Sequence, residues 1–384
     1  MDQTDTLLLA TPAMQSNPAS LNLLVAQLHE VARRMDQADP RAGEALHGLL
    51  TQLLDHPDPR CTGLVVFAAA LAERLADANA DTANLYLRKF EVPQIDLFNA
   101  LGQHVPLVRM ATSLANGALR DAMRGHTHPT LIDVGMGTGR QFVALLDALA
   151  HAGELPKTLT VIGIEPALDA LEQARWSLAV QAALHGVELD FHGFAHAAEA
   201  MTETQWQEVG ALCTAPPAIN AAFALHHIAD DALGNDQRNG VLAKLRALNP
   251  SVLVMIEPDA DHLEPRFFQR FRNCFAHFSA VFHMLDGLPM DDNQRNGLKV
   301  SFFGREIQDI LGTPEALRSE RHETAASWLA RLGTTGFAPL PLSVAGRLES
   351  HAAVQVVHRG NRTVLTAGQA PLVSVIAAQP CARR

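Results

Sequence analysis

The sequence predicts an α/β fold: a largely parallel sheet with crossover helices, preceded by a helical cap and carrying a helical insertion after its fifth strand. Three observations predict it. Residues 130–139 read TLIDVGMGTG, a short apolar run that enters three alternate glycines and passes straight into a helix-forming stretch. From residue 130 onward, short apolar runs alternate with helical stretches, the pattern of parallel strands joined by right-handed crossovers. Between residues 20 and 127 the apolar period is helical.

At 384 residues the chain can bury a sizeable core, and apolar residues make up 48% of it, which excludes a disordered chain. No run approaches the roughly 20 apolar residues of a bilayer span. The stretch LLLATPAM near the start lacks the basic flank of a signal peptide, so a cytoplasmic protein with no membrane partner is expected. Cys61, Cys213, Cys274 and Cys381 are scattered without C-x-x-C spacing, which argues against zinc ribbons, redox motifs and a disulfide framework. The formal charge of −11 repels phosphate backbones, and no nucleic-acid partner is expected. Oligomeric state is not encoded; a homodimer is compatible with the sequence.

In chain order, residues 1–19 are polar, aperiodic and read as a flexible tail. Residues 20–127 form the helical cap. LNLLVAQLHEVARRM sets Leu21, Leu24, Leu28 and Val31 on one face, and AGEALHGLLTQLL and CTGLVVFAAALAERLAD follow, with breaks at Asp39-Pro40 and at His56-Pro57-Asp58-Pro59. A fourth helical region runs through NLYLRKF and DLFNALGQH, broken by Pro93, and a fifth is LVRMATSLANGALRDAM. Residues 128–384 form the sheet. After the strand at residue 130, further strands are expected at Thr160 to Ile164, Val187 to Phe191, Ala218 to Phe223 and Ser251 to Ile256. Their carboxyl ends should share one edge, where ligands sit in open α/β sheets.

The insertion, at about 262–300, contains PRFFQRFRNCFAHFSAVFHML, with phenylalanines at helical spacing. Such a helix packs into the core, lines an apolar pocket, or does both with its two faces. The helix FFGREIQDIL, the stretch ETAASWLARLGTTGF and a closing hairpin (AAVQVVH, turn RGNR, then TVLTA and LVSVIAA) complete the chain, and the hairpin should extend the sheet at its end.

Glycines at 135, 137 and 139 let the backbone take positive φ and approach a ligand, and the helix beyond offers free N–H groups. A dinucleotide fingerprint requires glycine at 140, which is Arg140. The compressed G-x-G-x-G, with Asp133 two residues before Gly135, is the form expected of S-adenosylmethionine (SAM) methyltransferases; a glycine-rich turn with no ligand is the competing reading. Glu165, at the end of the second strand, is placed to accept the hydroxyls of an adenosine ribose. Its interval from Gly135 exceeds the usual distance of about 20 residues, and the loop HAGELPKT absorbs the excess.

His226, after the fourth strand, suits a general base at neutral pH, while the neighbouring His227 should face the other way if the backbone stays extended. Glu257, with Asp259, Asp261 and His262, follows the fifth strand. Paired with His226, Glu257 suits the orientation and deprotonation of a nucleophile; the group also offers metal-ligand chemistry. Without H-x-x-x-H or facial-triad spacing, no metal is expected.

Successive blocks of this sequence resemble the GRAS domain family. They include LLVAQLHEVARRM, HVPLVRMATSLANGALRDA, LIDVGMGTGRQFVALLDALA, AINAAFALHHI, VLVMIEPDADH, FFQRFRNCFAHFSAVFHMLD, RSERHETAASWLARLGTTGFAPLPLS and LTAGQAPLVSVIAA, in order from about residue 21. The resemblance implies a Rossmann-like methyltransferase sheet under a helical cap. The intact G-x-G-x-G, and the lack of the long low-complexity N-terminal region of plant members, point to a bacterial member, a group thought to methylate small molecules. Asn116, Gln141, Asn220, His226, Glu257, Phe282, Arg321, His322, Glu323 and Trp328 fall on family motif positions, the last four more as braces of the fold. Phe142, where the family commonly has tryptophan, and the closing IAAQP depart from the pattern.

The reading that results is a SAM-dependent methyltransferase transferring a methyl group to O or N of a small organic acceptor. SAM would be held by Asp133, Gly135, Gly137, Gly139, Glu165 and Asn220, His226 and Glu257 would be catalytic, and Asn116, Gln141, His227, His262 and Phe282 would line the acceptor site. The alternative is a non-enzymatic regulatory or ligand-binding module of the GRAS type.

Overall fold

The computed structural model describes residues 18–75, 101–102, 104–230, 234–342 and 351–382. Residues 1–17 of the expected tail and most of the fourth helical region lie outside them, and the last two tail residues open the first helix. The helical cap begins with α1 (Pro18–Asp36), α2 (Ala42–Leu54) and α3 (Cys61–Leu75), and α4 (Pro106–Met123) leads into the sheet. Helix α3 is buried nearly all round from Cys61 to Ala72, because α2 covers one side and the helical insertion the other.

The sheet then follows the expected alternation. Strand β1 (Thr130–Val134) is joined by α5 (Arg140–Ala152) to β2 (Thr158–Ile164), and α6 (Leu168–His185) leads to β3 (Glu188–Phe194). After α7 (Glu203–Leu212) come β4 (Ala218–Ala222), α8 (Gln237–Ala247) and β5 (Val252–Pro258). These five strands are parallel in the order β3-β2-β1-β4-β5. Every residue of β1 and β5 is buried, as a strand covered on both faces must be, and both sequences read as near-continuous apolar runs.

The insertion contributes α9 (Phe267–Asp286), α10 (Asp292–Gly297), a π-helical turn at Leu298–Phe302 and α11 (Phe303–Leu311), and then α12 (Ala325–Thr334) follows. Helix α9 buries Phe271, Cys274, Phe278, Val281, Phe282 and Leu285, a stripe at three- and four-residue steps, against α1, α3 and the sheet. Four strands close the sheet: β6 (Phe337–Leu340), β7 (Gln355–Arg359), β8 (Arg362–Ala367) and β9 (Ala370–Pro380). Strand β9 runs antiparallel to β5, with β8 on the other side of its first half and β6 beside its last residues. The sequence did not show β6: FAPL is four residues long and contains Pro339.

Two apolar clusters flank the sheet. One joins the helical layer to the face that carries Leu131, Val161 and Val254; the other packs Ile132, Ile162, Leu253 and Trp328 with α7, α8 and α12 on the opposite face. Strand alternation therefore turns Asp133, two residues after Leu131, toward the helical layer. Among the described residues no helix is long and apolar enough to cross a membrane.

Candidate functional site

Two groups of polar side chains meet at the carboxyl edge of the parallel strands. The first surrounds the glycine turn. Gly135, Gly137 and Gly139 all have positive φ (72°, 53° and 75°), and a Cβ on Gly135 would stand 2.4 Å from that of Ala224. Asp133, 3% exposed, accepts from Asn220 Nδ2 at 2.7 Å. Gln141 Nε2 donates to Asn220 Oδ1 (2.9 Å) and to Asn116 Oδ1 (3.2 Å), and Asn116 Nδ2 donates back to the carbonyl of Gln141 (3.1 Å). Burial pushes Asp133 up to about 7 against the hydrogen bond from Asn220.

These bonds run from β1 through β4 and α5 to α4, tying the cap to the sheet. Glu165 joins in from β2: Oε2 accepts from the N–H of Gly137 (2.8 Å) and Oε1 from that of Ala167 (3.0 Å). Of the two oxygens expected to hold a ribose, one thus accepts from the glycine turn and the other from the stretch after β2.

The second group lies past β4 and at the end of β5. Residues Leu225–His227 form a single 3-10 turn, so the alternation expected of an extended backbone is lost and both histidines reach the same acid. His226 Nε2 lies 3.4 Å from Glu320 Oε2, and His227 Nδ1 lies 3.6 Å from Glu320 Oε1. On its other nitrogen, His226 Nδ1 donates to Glu257 Oε2 at 2.6 Å, while Glu257 Oε1 accepts from the N–H of Leu225 at 2.9 Å. Burial opposes a charge on His226, but Glu257 and Glu320 outweigh it and lift the imidazole to about 10.

Residues 318–324 carry no helix or strand pairing and start extended at Arg318; Glu320 and His322, two apart, both turn inward. His322 Nε2 donates to Glu320 Oε2 (3.0 Å). Burial lowers His322 to about 3, so the ring is neutral, and Nδ1, without a proton, accepts from His262 Nδ1 at 2.9 Å. His262 is fully buried and stacks on Phe278. Hydrogen bonds from His226 and His322 hold Glu320 well below the usual carboxylate range despite burial, whereas burial and Glu320 raise Glu306 nearby.

The structure thus brings together His226, Glu257, His227 and His262 of the expected residues, with Asp133, Asn220, Gln141 and Asn116 in a separate network. Phe282 points elsewhere, against Gly63, Phe67 and Lys299 in the helical layer. The acids after β5 disperse as well. Asp259 accepts from the N–H of Ala325 and from Ser374 Oγ, and Asp261 accepts from the N–H of Glu264. Glu320 and His322 were not among the expected functional residues: His322 was expected to brace the fold and Glu320 was not singled out, though their spacing of two in an extended stretch was an available signal.

A family model described as the GRAS domain family matches residues 24–372. Among curated proteins, the chain is 30% identical over 246 residues to the chitin-inducible gibberellin-responsive protein 2 of Oryza sativa subsp. japonica, covering 62% of this chain and 45% of that one. It is 26% identical over 320 residues to the Scarecrow-like transcription factor PAT1 of Arabidopsis thaliana (82% and 63%), and 29% identical over 242 residues to the DELLA protein GAI of Gossypium hirsutum (62% and 44%). The chain spans about half the length of these relatives. The crystal structure of SCL7 from Oryza sativa superimposes with a TM-score of 0.76 at 24% identity, covering 95% of this chain and all of that one, which shows the mixed α/β fold with its central sheet.

These findings overturn several expectations. Relatives with regulator names replace the SAM-dependent methyltransferase, and with it fall the enzyme assignment, the SAM cofactor and the small-molecule methyl acceptor. The expected exclusion of nucleic acid falls too, since one relative is named a transcription factor. The physical reason the sequence misled is local: G-x-G-x-G and Glu165 satisfy each other, so a pattern suited to a cofactor also makes a closed turn.

Proposed function

The chain belongs to the GRAS domain family, and on that footing we propose that it is a non-enzymatic regulatory module, acting on transcription through protein partners. The observation that carries this reading is the match over residues 24–372, together with the regulatory names of the relatives. The occupied oxygens of Glu165 support it. We read the sheet as a Rossmann-like one of methyltransferase type whose glycine turn now serves as a brace, and the chain as a bacterial member on the strength of that intact turn. The cytoplasmic placement is part of the proposal; imaging of the tagged chain decides between cytoplasm and nucleoid or nucleus.

The test is genetic and biochemical together. Removing the gene should change a defined set of transcripts, and crosslinking in the host should join the chain to DNA-associated proteins. Unchanged transcripts, with SAM-dependent methylation of a host metabolite by the purified chain, would return it to the enzymes.

A further inference from the structure

We propose that His226, Glu320 and His322 form a binding site for one divalent transition-metal ion of the zinc class, which staples the extended segment after Arg318 to the turn that follows β4. The site goes beyond the regulatory reading and does not depend on it.

The first argument is distance. One ligand atom from each of the three residues lies within 4.8 Å of the other two. His322 Nε2 and His226 Nε2 stand 3.0 and 3.4 Å from Glu320 Oε2. A four-coordinate zinc with bonds of about 2.0–2.1 Å sets its ligands about 3.4 Å apart, so both histidine nitrogens stand near ligand spacing from Glu320 Oε2. A small contraction or expansion of side chains completes the fit.

The second argument is the shell behind the ligands. A metal-bound imidazole keeps its other nitrogen protonated and hydrogen-bonded, which fixes the ring. His226 meets this requirement through Glu257 at 2.6 Å. His322 meets it through His262 at 2.9 Å: once the metal takes the Nε2 lone pair, His322 Nδ1 carries the proton and donates to His262 Nδ1. The backbone is pinned as well. Arg318 Nη2 donates to the carbonyls of His262 (2.6 Å) and Glu320 (3.0 Å), and the N–H of Arg321 donates to the carbonyl of His226 (3.2 Å).

Charge gives the third argument. Two carboxylates, Glu257 and Glu320, face His226 from its two nitrogens, and a divalent cation complements carboxylates taken out of water. Two imidazole nitrogens with one carboxylate suit zinc and its transition-metal neighbours, whereas calcium and magnesium take oxygen ligands. His227, beside the cluster, has a side chain 50% exposed, so the group lies close to the surface.

The experiment uses the full chain, purified without a histidine tag, stripped with chelator and titrated with zinc chloride against a chromophoric chelator. One zinc per chain is expected, with a rise in the thermal midpoint. Glu320→Gln and His322→Gln should abolish competitive binding, and Glu257→Gln, which reaches the metal through His226 and the turn that carries it, should weaken it about 10–100-fold. X-ray absorption of the zinc-loaded wild type reads the ligands without any variant: two imidazoles and oxygen support the site. No uptake by the wild type, uptake unchanged in both Gln variants, or a cysteine sulfur bound to the metal would overturn the proposal.

Discussion

The two polar groups at the carboxyl edge of the sheet use similar side chains to opposite ends. Around the glycine turn, amides and carboxylates pair off: Asn220 gives its N–H to Asp133 and its oxygen to Gln141, and Glu165 spends both oxygens on backbone N–H groups. In the histidine cluster, three side chains aim ligand atoms at one another instead. A polar network in which each donor meets its own acceptor holds elements together, whereas side chains crowded on one carboxylate bring their ligand atoms within reach of a single ion. The motif most suggestive of a ligand in the sequence is the closed one.

Breaking the closed network should cost stability in a graded way. Gly135→Val comes first, since it forces a β-branched residue to φ 72° with its Cβ against Ala224. A loss of about 5 kcal/mol is expected in chemical denaturation.

Asp133→Asn tests the buried acid. Held up to about 7 in the folded chain against 3.8, the carboxyl keeps its proton where the unfolded chain has lost it, so this group makes stability fall as pH rises from about 4 to 7 and adds nothing further above that. The variant should lack this fall and exceed the wild type by up to roughly 4 kcal/mol at pH 7 and by little at pH 4. Parallel pH–stability curves for the two proteins would refute the assignment.

Asn220→Ala removes the donor to Asp133 and the acceptor of Gln141 in one step, and should cost about 2–3 kcal/mol, with the pH-dependent fall shifted further upward. Smallest is Gly137→Ala: with φ at 53° and no atom within 4 Å of the new Cβ, only the backbone preference is lost, about 1–2 kcal/mol. Equal losses at 135 and 137 would show that close packing against Ala224 is not what sets the turn.

The difference between the two groups also explains what the sequence revealed. Strands β1 to β5 were legible because each is a short apolar run bounded by turn residues, and the closing strands because RGNR marks a hairpin. His226 and Glu257 were legible as a pair because both follow a strand of one parallel sheet, which fixes their edge. Glu320 and His322 were not: they reach the edge from an extended stretch with no periodicity, roughly sixty residues past β5. The single turn at Leu225–His227 was equally invisible, since three residues carry no pattern, and it alone decides that His226 and His227 share an acid. Phe282 was misplaced because a helix buried on two sides shows the same spacing whichever side faces the site.

Strand β9 carries a consequence for synthesis. It is buried from Leu372 to Ala378, lies between β5 and the β8–β7 pair, and leaves the ribosome after every other strand. Until then the parallel half must wait with the backbone groups of β5 unpaired along one side, an open edge of the kind that invites pairing with another chain. A nascent chain stalled before Ala370 should therefore be a chaperone client, and release of the last strand should be the event that ends its dependence.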